Sequence, residues 1–285
     1  MASMKAIKRR ISSVNSTRQI MKAMDLVAAS KLQKTRLRLE GVRPMYSYLS
    51  RVVYGILADE EAEVSVYAEQ RDEIKNVAYI VFTGDRGLCG SYNSNISKET
   101  LTHINSAGAD NESIIAAGVK GWEFLLRNRK NVVTRIPGAS ELSEYEDAER
   151  ISEMVISMFL SGEVDRVFLS YTKFESVLSH IPQVVQLLPV TTDIETNGYT
   201  DWSAYDPGME EFISSAVPMY VSMVIYNAMM ESAVCEQAAR MTSMDAASRN
   251  ASNIIDDLTL EYNRKRQGMI TQEITEIVSG ANAMQ

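Results

Sequence analysis

Residues 219–267 read MYVSMVIYNAMMESAVCEQAARMTSMDAASRNASNIIDDLTLEYNRKRQ and contain neither proline nor glycine. With only Gly268 and Gly280 beyond them, about sixty residues are compatible with a single helix. At about 1.5 Å per residue that helix would be on the order of 90 Å long, whereas a compact domain of this chain length spans about 40 Å. We therefore expect the helix to project from any globular body and to need a helical mate, a surrounding partner, or both.

The N-terminal segment, residues 3 to about 57, also has helical periodicity, and Gly41 with Pro44 predicts a bend or break within it. Two rows of residues in this segment follow coiled-coil spacing. One row is Ile7, Val14, Met21, Ala28, Thr35 and Val42, and the other is Ile11, Arg18, Asp25, Leu32 and Leu39. Antiparallel pairing with the C-terminal helix is the simplest way to bury both seams, so we predict a long two-helix antiparallel coiled coil.

The middle of the chain changes period. Residues 77–83, 113–117, 132–136, 164–171 and 184–190 have the pattern of strands, and residues 91–106, 119–129 and 143–161 have that of helices. This alternation predicts a central α/β, Rossmann-like sheet with crossover helices. The predicted fold class is α+β overall. Its parts are an N-terminal coiled-coil helix (1–57), a central α/β domain (75–195) and a C-terminal coiled-coil helix (209–285), joined by linkers at 58–72 and 193–208.

Composition disfavours several classes of function. The chain has two cysteines and two histidines, each isolated in sequence, so a disulfide framework, a metal site and histidine-based catalysis have no basis. We expect Cys89, Cys235, His103 and His180 to be structural. No window approaches the roughly 20 apolar residues of a membrane span, and the basic amphipathic N-terminus lacks the apolar core of a signal peptide. We expect a chain that is neither secreted nor membrane-spanning.

Charge is unevenly distributed along the chain. Residues 1–43 hold eleven Lys or Arg against Asp25 and Glu40, although the whole chain has a net charge of −8. This asymmetry is compatible with an acidic partner for the segment and equally with a solvated face. Nucleic acid is disfavoured, because the segment has no aromatic residue before Tyr46 and the whole chain is acidic.

The glycine-rich stretch 84–90, GDRGLCG, lies between a predicted strand and a predicted helix, where a phosphate-binding loop would lie. Its spacing matches neither a Walker loop nor the dinucleotide fingerprint. We interpret it as a sharp turn whose glycines take positive φ. Nowhere does a serine, cysteine or carboxylate pair have the context of a nucleophile or an acid/base pair. We therefore predict that the chain is not an enzyme and has no catalytic residue, metal or cofactor.

Three motifs, in order along the chain, carry a family resemblance. They are IKRRISSVNSTRQIMKAM (7–24) with VAASKL (27–32), the stretch 82–95 centred on DRGLCG (85–90), and AARM (238–241) with ITQE (270–273) through GANA (280–283). Together they resemble the gamma subunit of F-type ATP synthases over nearly the whole chain. Three separated motifs in the right order make chance agreement very small.

The resemblance implies a central rotor shaft, a non-catalytic subunit present once per complex. Such a shaft couples proton- or sodium-driven rotation of a membrane c-ring to ATP synthesis or hydrolysis on the beta subunits of a surrounding alpha/beta hexamer. The epsilon subunit would lie beside it. Chloroplast members carry an inserted cysteine pair that has no counterpart here, so the resemblance points to a bacterial enzyme, peripheral on the cytoplasmic face of the plasma membrane.

The resemblance also implies roles for particular residues. Arg240, Gln267 and Thr271 match positions that hydrogen-bond to a beta-subunit loop. Met24, Arg266 and Glu273 match positions that couple transport to catalysis. Tyr205 and Asp206, in the linker before the last helix, match the foot on the c-ring and beside epsilon.

Two other classes of protein are alternatives. A nucleotide-binding α/β enzyme with helical extensions would need residues 84–90 to hold phosphate. A coiled-coil scaffold unrelated to rotation would pair with itself as a stable homodimer.

Overall fold

The computed structural model describes residues 2–57, 66–71, 73–138, 144–191 and 209–283. Packing divides the chain into two units. The central unit is Ala29–Arg240, and the terminal unit is Met1–Ala28 together with Met241–Gln285. The predicted linker 193–208, most of the linker 58–72 and the first residue of the predicted helix 143–161 lie outside the described residues.

All the predicted strands and helices are present. In chain order they are α1 (Ala2–Leu57), β1 (Asn76–Phe82), α2 (Tyr92–Ser106), β2 (Asn111–Ala117), α3 (Val119–Arg127), β3 (Val132–Ile136), α4 (Tyr145–Leu160), β4 (Arg166–Phe174), β5 (His180–Leu188) and α5 (Met209–Ala283).

The five strands form one mixed sheet in the order β3-β2-β1-β4-β5. Strands β1 to β4 are parallel, whereas β5 returns antiparallel to β4. Helices α2, α3 and α4 connect consecutive parallel strands, as parallel pairing requires. The order of the first four strands is that of a dinucleotide-binding half, so the Rossmann-like prediction is confirmed, with a hairpin in place of the next crossover.

Both faces of the sheet are covered. Strand β1 is buried almost throughout, as expected of a central strand with helices on both sides. Val77, Tyr79 and Val81 face a core shared with α2 and α3. Ala78, Ile80 and Phe82 belong to the larger core, which also contains α4 and parts of α1 and α5. The long helices of the central unit are therefore built into the domain core.

Helix α1 confirms the predicted seam. All residues of the two coiled-coil rows are buried or half-buried, including the polar Arg18 and Asp25. The predicted break at Gly41 and Pro44 is wrong, because α1 runs through both residues without interruption. Pro44 lies on the exposed side of the helix, and the packing of Leu39 and Leu49 in the core holds the helix on either side of it.

Helix α5 contains 75 residues and begins before Pro218, which lies inside it. Its stretch from Ala216 to Ala239 is almost entirely buried, with small residues such as Ala228, Ala233 and Ala238 at the contacts. Small side chains let helices and strands approach closely. None of the described helices has a segment long and apolar enough to cross a membrane.

The two long helices pair antiparallel in each unit. In the central unit the hydroxyls of Tyr54 and Tyr220 are 2.8 Å apart, and Arg43 lies 3.5 Å from Glu231. In the terminal unit Arg18 donates to the hydroxyl of Ser252 at 3.3 Å. Within the central unit, positions later in α1 meet positions earlier in α5, which is the predicted antiparallel pairing.

Candidate functional site

Arg240, a predicted contact residue, is turned partly into the protein. It lies on α5 in the central unit, and its side chain is 15% exposed. Its Nη2 donates to Oε1 of Glu236 at 2.5 Å and to the carbonyl oxygen of Gly87 at 3.3 Å. Arg240 therefore holds α5 against the glycine-rich stretch 84–90.

Asp85 fixes the glycine-rich stretch to the rest of the sheet. Its carboxylate accepts hydrogen bonds from the N–H groups of Val119 at 3.0 Å and Gly138 at 2.9 Å. Val119 begins α3, whose first N–H groups have no partner within the helix and favour a negative charge. Asp85 thus ties the turn after β1 to the start of α3 and to the turn after β3.

Asn93 fixes the same stretch from α2. Its Oδ1 accepts from the N–H of Gly84 at 2.8 Å, and its Nδ2 donates to the carbonyl of Arg86 at 3.2 Å. The same Nδ2 lies 3.1 Å from the sulfur of Cys89. Asn93 therefore holds Gly84, the Arg86 carbonyl and Cys89 of the glycine-rich stretch in place.

The prediction of positive-φ glycines is right for Gly90 but wrong for Gly84 and Gly87. Leu88 takes the left-handed conformation instead, with φ of 64°. Gly84 is required for a different reason. A Cβ at this position would lie 2.8 Å from the carboxyl carbon of Glu236, closer than atoms normally pack.

This geometry counts against phosphate binding by residues 84–90. The N–H of Gly84 is already given to Asn93, and the buried carboxylate of Glu236 lies against the Cα of Gly84. A phosphate approaching that backbone would meet a negative charge in a low-dielectric site. Side chains of α5 therefore fill the space beside this loop, where a Rossmann-like fold would otherwise bind a nucleotide.

The two cysteines are buried in one cluster with Tyr92 and Ala239. Burial raises the pKa of both thiols, and the nearby carboxylates of Glu231 (for Cys235) and Glu236 (for Cys89) raise them further. Because the thiolate is the reactive form, burial and the raised pKa disfavour reaction of either side chain. The structural interpretation of the cysteines is confirmed.

The histidines also have structural surroundings. His103 Nδ1 lies 2.9 Å from the hydroxyl of Tyr79, and its ring packs edge-on against Phe168. The ring of His180 stacks on Phe174. Burial lowers the pKa of both histidines. Among the described residues, no group of His, Cys, Asp or Glu is arranged to hold a metal ion.

A second buried carboxylate, Glu231, joins three elements of the central unit. One oxygen lies 3.5 Å from Arg43 of α1, and the other accepts from the N–H of Phe174 in β4 at 3.2 Å. Neither Glu231 nor Glu236 belongs to the predicted site. The sequence did contain a signal for these two buried carboxylates. Each is a single acidic residue in a stretch of small residues, whereas a helix face in contact with solvent usually carries more charged residues.

Met24 lies on an exposed apolar face of α1 in the terminal unit. Its side chain is 40% exposed, and Ile20 and Val27, one turn to either side, are also exposed. Lys5, Lys8, Arg9, Arg10 and Lys22 of the same helix are exposed as well. The terminal unit thus presents both apolar side chains and a high density of positive charge.

The remaining predicted contact residues lie on the last turns of α5. Arg266, Gln267, Thr271 and Glu273 are all exposed. The hydroxyl of Thr271 donates to the carbonyl of Gln267 at 3.0 Å within the helix. Helical spacing puts Gln267 and Thr271 on one face, and Arg266 with Glu273 on a neighbouring one.

The end of α5 extends beyond its helical mate. From the Arg18 to Ser252 contact, equal rise in both helices places the start of α1 level with about residue 268. The last turns of α5 therefore continue for about 20 Å with no α1 beside them. Ile270, Ile274, Ile277 and Val278 are exposed there. We call residues 269–283 the tip.

The predicted residues do not form one compact site. Along the axis of the terminal unit, the same register separates Met24 from Arg266 by roughly 30 Å. Arg240 belongs to the other unit. Tyr205 and Asp206 lie outside the described residues. Within the terminal unit, Met24 lies on α1, and Arg266, Gln267, Thr271 and Glu273 lie on α5.

A two-helix coiled coil with an α/β domain and an exposed apolar tip is typical of a subunit that makes protein contacts. The family model described as "ATP synthase" matches residues 3–284. The chain belongs to the ATP synthase gamma-chain family. It is 39% identical to the ATP synthase gamma chain of Alkaliphilus metalliredigens, over 99% of this chain and 98% of that one.

Other relatives agree. The sodium ion specific ATP synthase gamma chain of Acetobacterium woodii is 37% identical, over 98% of this chain and 97% of its own. A chain in the central stalk/c-ring structure of the Tetrahymena thermophila mitochondrial ATP synthase is 26% identical with a TM-score of 0.63, covering 80% of this chain and 99% of that one. A Euglena gracilis mitochondrial ATP synthase chain, at 17% identity, shares the fold with a TM-score of 0.67 over 99% of this chain and 95% of that one.

Proposed function

We propose that the chain is the central rotor shaft of an F-type ATP synthase. The observation that carries this proposal is the tip, where α5 continues alone with isoleucines exposed. A single helix of this length is marginal in water, and exposed apolar residues mark a surface that another protein covers. A ring of subunits closed around the tip would supply that cover.

The enclosing ring is the alpha/beta hexamer, in which ATP is made or hydrolysed on the beta subunits. The shaft itself is non-catalytic and present once per complex. Because it is asymmetric, rotation changes which face each beta subunit meets, and this biases that subunit between open and closed states through different contact energies. The exposed cations of α1 would face acidic segments of beta.

Individual residues take the roles that the family motifs suggest. Arg240, Gln267 and Thr271 hydrogen-bond to a beta-subunit loop. Met24, Arg266 and Glu273 couple transport to catalysis. Tyr205 and Asp206 form the foot on the membrane c-ring, with the epsilon subunit beside it. The corresponding division of the chain is a shaft made of 1–57 and 209–285 and a domain made of 75–195.

In this proposal the complex sits on the cytoplasmic face of a bacterial plasma membrane, and the chain is peripheral to that membrane. Rotation is driven by protons or sodium ions moving through the c-ring. The sodium specificity printed for the Acetobacterium woodii relative belongs to that protein. The choice of ion is made by the c-ring in this scheme, so the shaft serves either.

The test is co-purification of the chain, tagged on the α/β domain, followed by an ATPase assay. Full-length chain should bring down alpha and beta subunits in fixed excess over itself. A form truncated before Arg264 should alter turnover or its coupling to ion pumping. Arrival of the chain alone, as a homodimer, or with unrelated partners would reject the shaft and favour a scaffold.

A point variant sharpens the test. Thr271→Ala and Thr259→Ala each remove a hydroxyl that donates to a carbonyl one turn earlier in α5, so their effects on the helix are matched. Only Thr271 lies in the tip. Thr271→Ala should lower turnover about fivefold, the factor equivalent to one hydrogen bond of roughly 1 kcal/mol. Thr259→Ala should leave turnover unchanged, and equal effects of the two would remove Thr271 from the contact surface.

A further inference from the structure

Glu236, the ion-pair partner of Arg240, is a charged residue that is almost completely buried. The residue is 1% exposed, on the face of α5 that packs against the turn after β1. Its Oε1 accepts from Arg240 Nη2 at 2.5 Å. An ion buried to this degree is costly unless it is paired, so a glutamate in this stretch of small residues needs an explanation.

The Glu236 carboxylate is confined by Gly84 as well as by Arg240. Gly84 leaves room for it, since a Cβ there would come within 3.0 Å of all three carboxyl atoms of Glu236. Gly84 is itself held by its N–H bond to Asn93. The carboxylate therefore has one position available, and the guanidinium that it binds is placed accordingly.

Among the described residues, the hydrogen bonds of Arg240 use only one of its three guanidinium nitrogens. A guanidinium has five N–H donors in a rigid plane. The bonds to Glu236 and to the Gly87 carbonyl both use Nη2. The two bonds of Nη2 orient the plane of the guanidinium. Nε and Nη1 can then donate to a carbonyl or carboxylate of a neighbouring protein without breaking the internal contacts.

We propose that Glu236 is the positioning residue for Arg240, and that Gly84 is a glycine so that Glu236 can hold this place. The inference rests on the proposed function, in which Arg240 contacts a beta-subunit loop. Glu236 itself touches no partner. It fixes one arginine rotamer in advance, so that less side-chain freedom is lost when each beta subunit arrives during rotation.

Two independent substitutions test this assignment in the assembled complex. Glu236→Gln keeps the shape of the side chain and removes its charge. Gly84→Ala keeps the charge and displaces the carboxylate, and its φ lies outside the left-handed region, so alanine suits the backbone. Asp245→Asn is the matched control, because it removes the acid of another i,i+4 pair on α5, with Arg249, that is solvent-exposed.

We expect Glu236→Gln and Gly84→Ala each to lower kcat for ATP hydrolysis about fivefold or more without changing KM for ATP, since the nucleotide site on beta is untouched. Asp245→Asn should match the wild type. In the Glu236→Gln, Arg240→Ala double variant, kcat should be no lower than in Arg240→Ala alone. A purely structural Glu236 would instead lower the yield of complex and leave kcat per assembled complex unchanged.

The outcomes separate the inference from the function on which it rests. Failure of the wild-type chain to assemble with alpha and beta subunits rejects both. Assembly with normal kcat in Arg240→Ala, or multiplicative losses in the double variant, overturns the positioning role and leaves the shaft proposal to the Thr271 and truncation tests. Normal kcat in Glu236→Gln and Gly84→Ala, with a reduced kcat in Arg240→Ala, overturns it as well.

Discussion

Asp165 lies just before β4 and accepts hydrogen bonds from Arg71, from Lys75 and from Asn76, the first residue of β1. Its Oδ1 accepts from Arg71, and its Oδ2 accepts from the N–H groups of Lys75 and Asn76, each at 2.8 Å. Burial alone would raise the pKa of this carboxyl. The hydrogen bonds from Asn76, Arg71 and Lys75 outweigh burial and hold the pKa below its ordinary value.

The lowered pKa of Asp165 predicts a pH-dependent contribution to stability. A carboxyl whose pKa is depressed in the folded state stabilises the fold above its unfolded pKa of about 4, and this contribution is lost as pH falls through the folded pKa. Asp165→Asn removes the charge that these three hydrogen bonds favour and should therefore cost about 1–2 kcal/mol at neutral pH. The difference from wild type should shrink as the pH falls below about 4. Urea denaturation at several pH values measures the cost at neutral pH and its decrease at low pH.

The control for Asp165 is Glu163→Gln, two residues earlier and exposed. It should change the free energy of unfolding by less than about 0.5 kcal/mol at any pH. A pH-independent cost for Asp165→Asn would mean that shape, and not charge, is what the fold requires at this position.

Gly84 and Gly87 make a matched pair for testing close approach. A Cβ at Gly84 meets the Glu236 carboxylate, whereas one at Gly87 meets nothing within 4 Å. Gly84→Ala should cost about 1 kcal/mol of folding stability, because a flexible but buried side chain must move. Gly87→Ala should be neutral or stabilising by up to about 1 kcal/mol, since it restricts the unfolded chain. Equal effects on the denaturation midpoint would contradict the assigned reason for Gly84.

At the scale of elements, Pro44 interrupts the hydrogen-bond ladder of α1 without ending the helix. Proline has no N–H to donate to the carbonyl one turn earlier, and it disfavours a helix interior by up to about 3 kcal/mol. Pro44→Ala should therefore slow amide hydrogen exchange in α1 around residue 44, measured on the assembled complex. Ser47→Ala, at another exposed position of the same helix, should slow it much less. Unchanged exchange in Pro44→Ala would show that Pro44 does not destabilise α1.

Sequence periodicity was enough to predict the bounds of the elements whose residues alternate regularly between core and solvent or are buried throughout. Strands β1 and β3 occur within a residue of their predicted ends. Strand β1 is a buried apolar run, whereas β3, at the edge of the sheet, alternates half-buried and exposed residues, and both patterns are typical of strands. Strand β5 begins four residues before its predicted start, since it is an edge strand that includes Pro182. Helix α5 begins before Pro218 because Val217 and Tyr220 are buried beside the proline, and that packing offsets the lost hydrogen bond.

The candidate site was harder to predict from the sequence than the helices and strands. The motif residues were found by resemblance, but the contacts among Arg240, Glu236 and Gly84 join positions about 150 residues apart, which one-dimensional spacing does not reveal. The left-handed conformation of Leu88 carries no sequence signal either, because non-glycine residues adopt it only when surrounding contacts require it. Tertiary structure was needed for both.

At the scale of the whole molecule, the tip should govern how the free chain behaves. Ile270, Ile274 and Ile277 are 47%, 56% and 72% exposed, and they follow one another at helical spacing on a helix with no mate beside it. Exposed apolar surface of this kind favours self-association. Replacing all three by Gln should raise the solubility of the isolated chain, measured as the concentration at which light scattering increases.

The same triple substitution should lower incorporation into the complex, because the ring would lose the apolar contacts that the tip offers. A matched triple, Leu126, Val133 and Leu178 to Gln, removes exposed apolar side chains from the central unit. It should also raise solubility but leave incorporation unchanged. Two triples with equal losses of incorporation, measured by co-purification with a tagged chain, would mean that general surface hydrophobicity drives assembly. A loss confined to the tip triple would mean that the enclosed end of α5 is what the partner ring recognises.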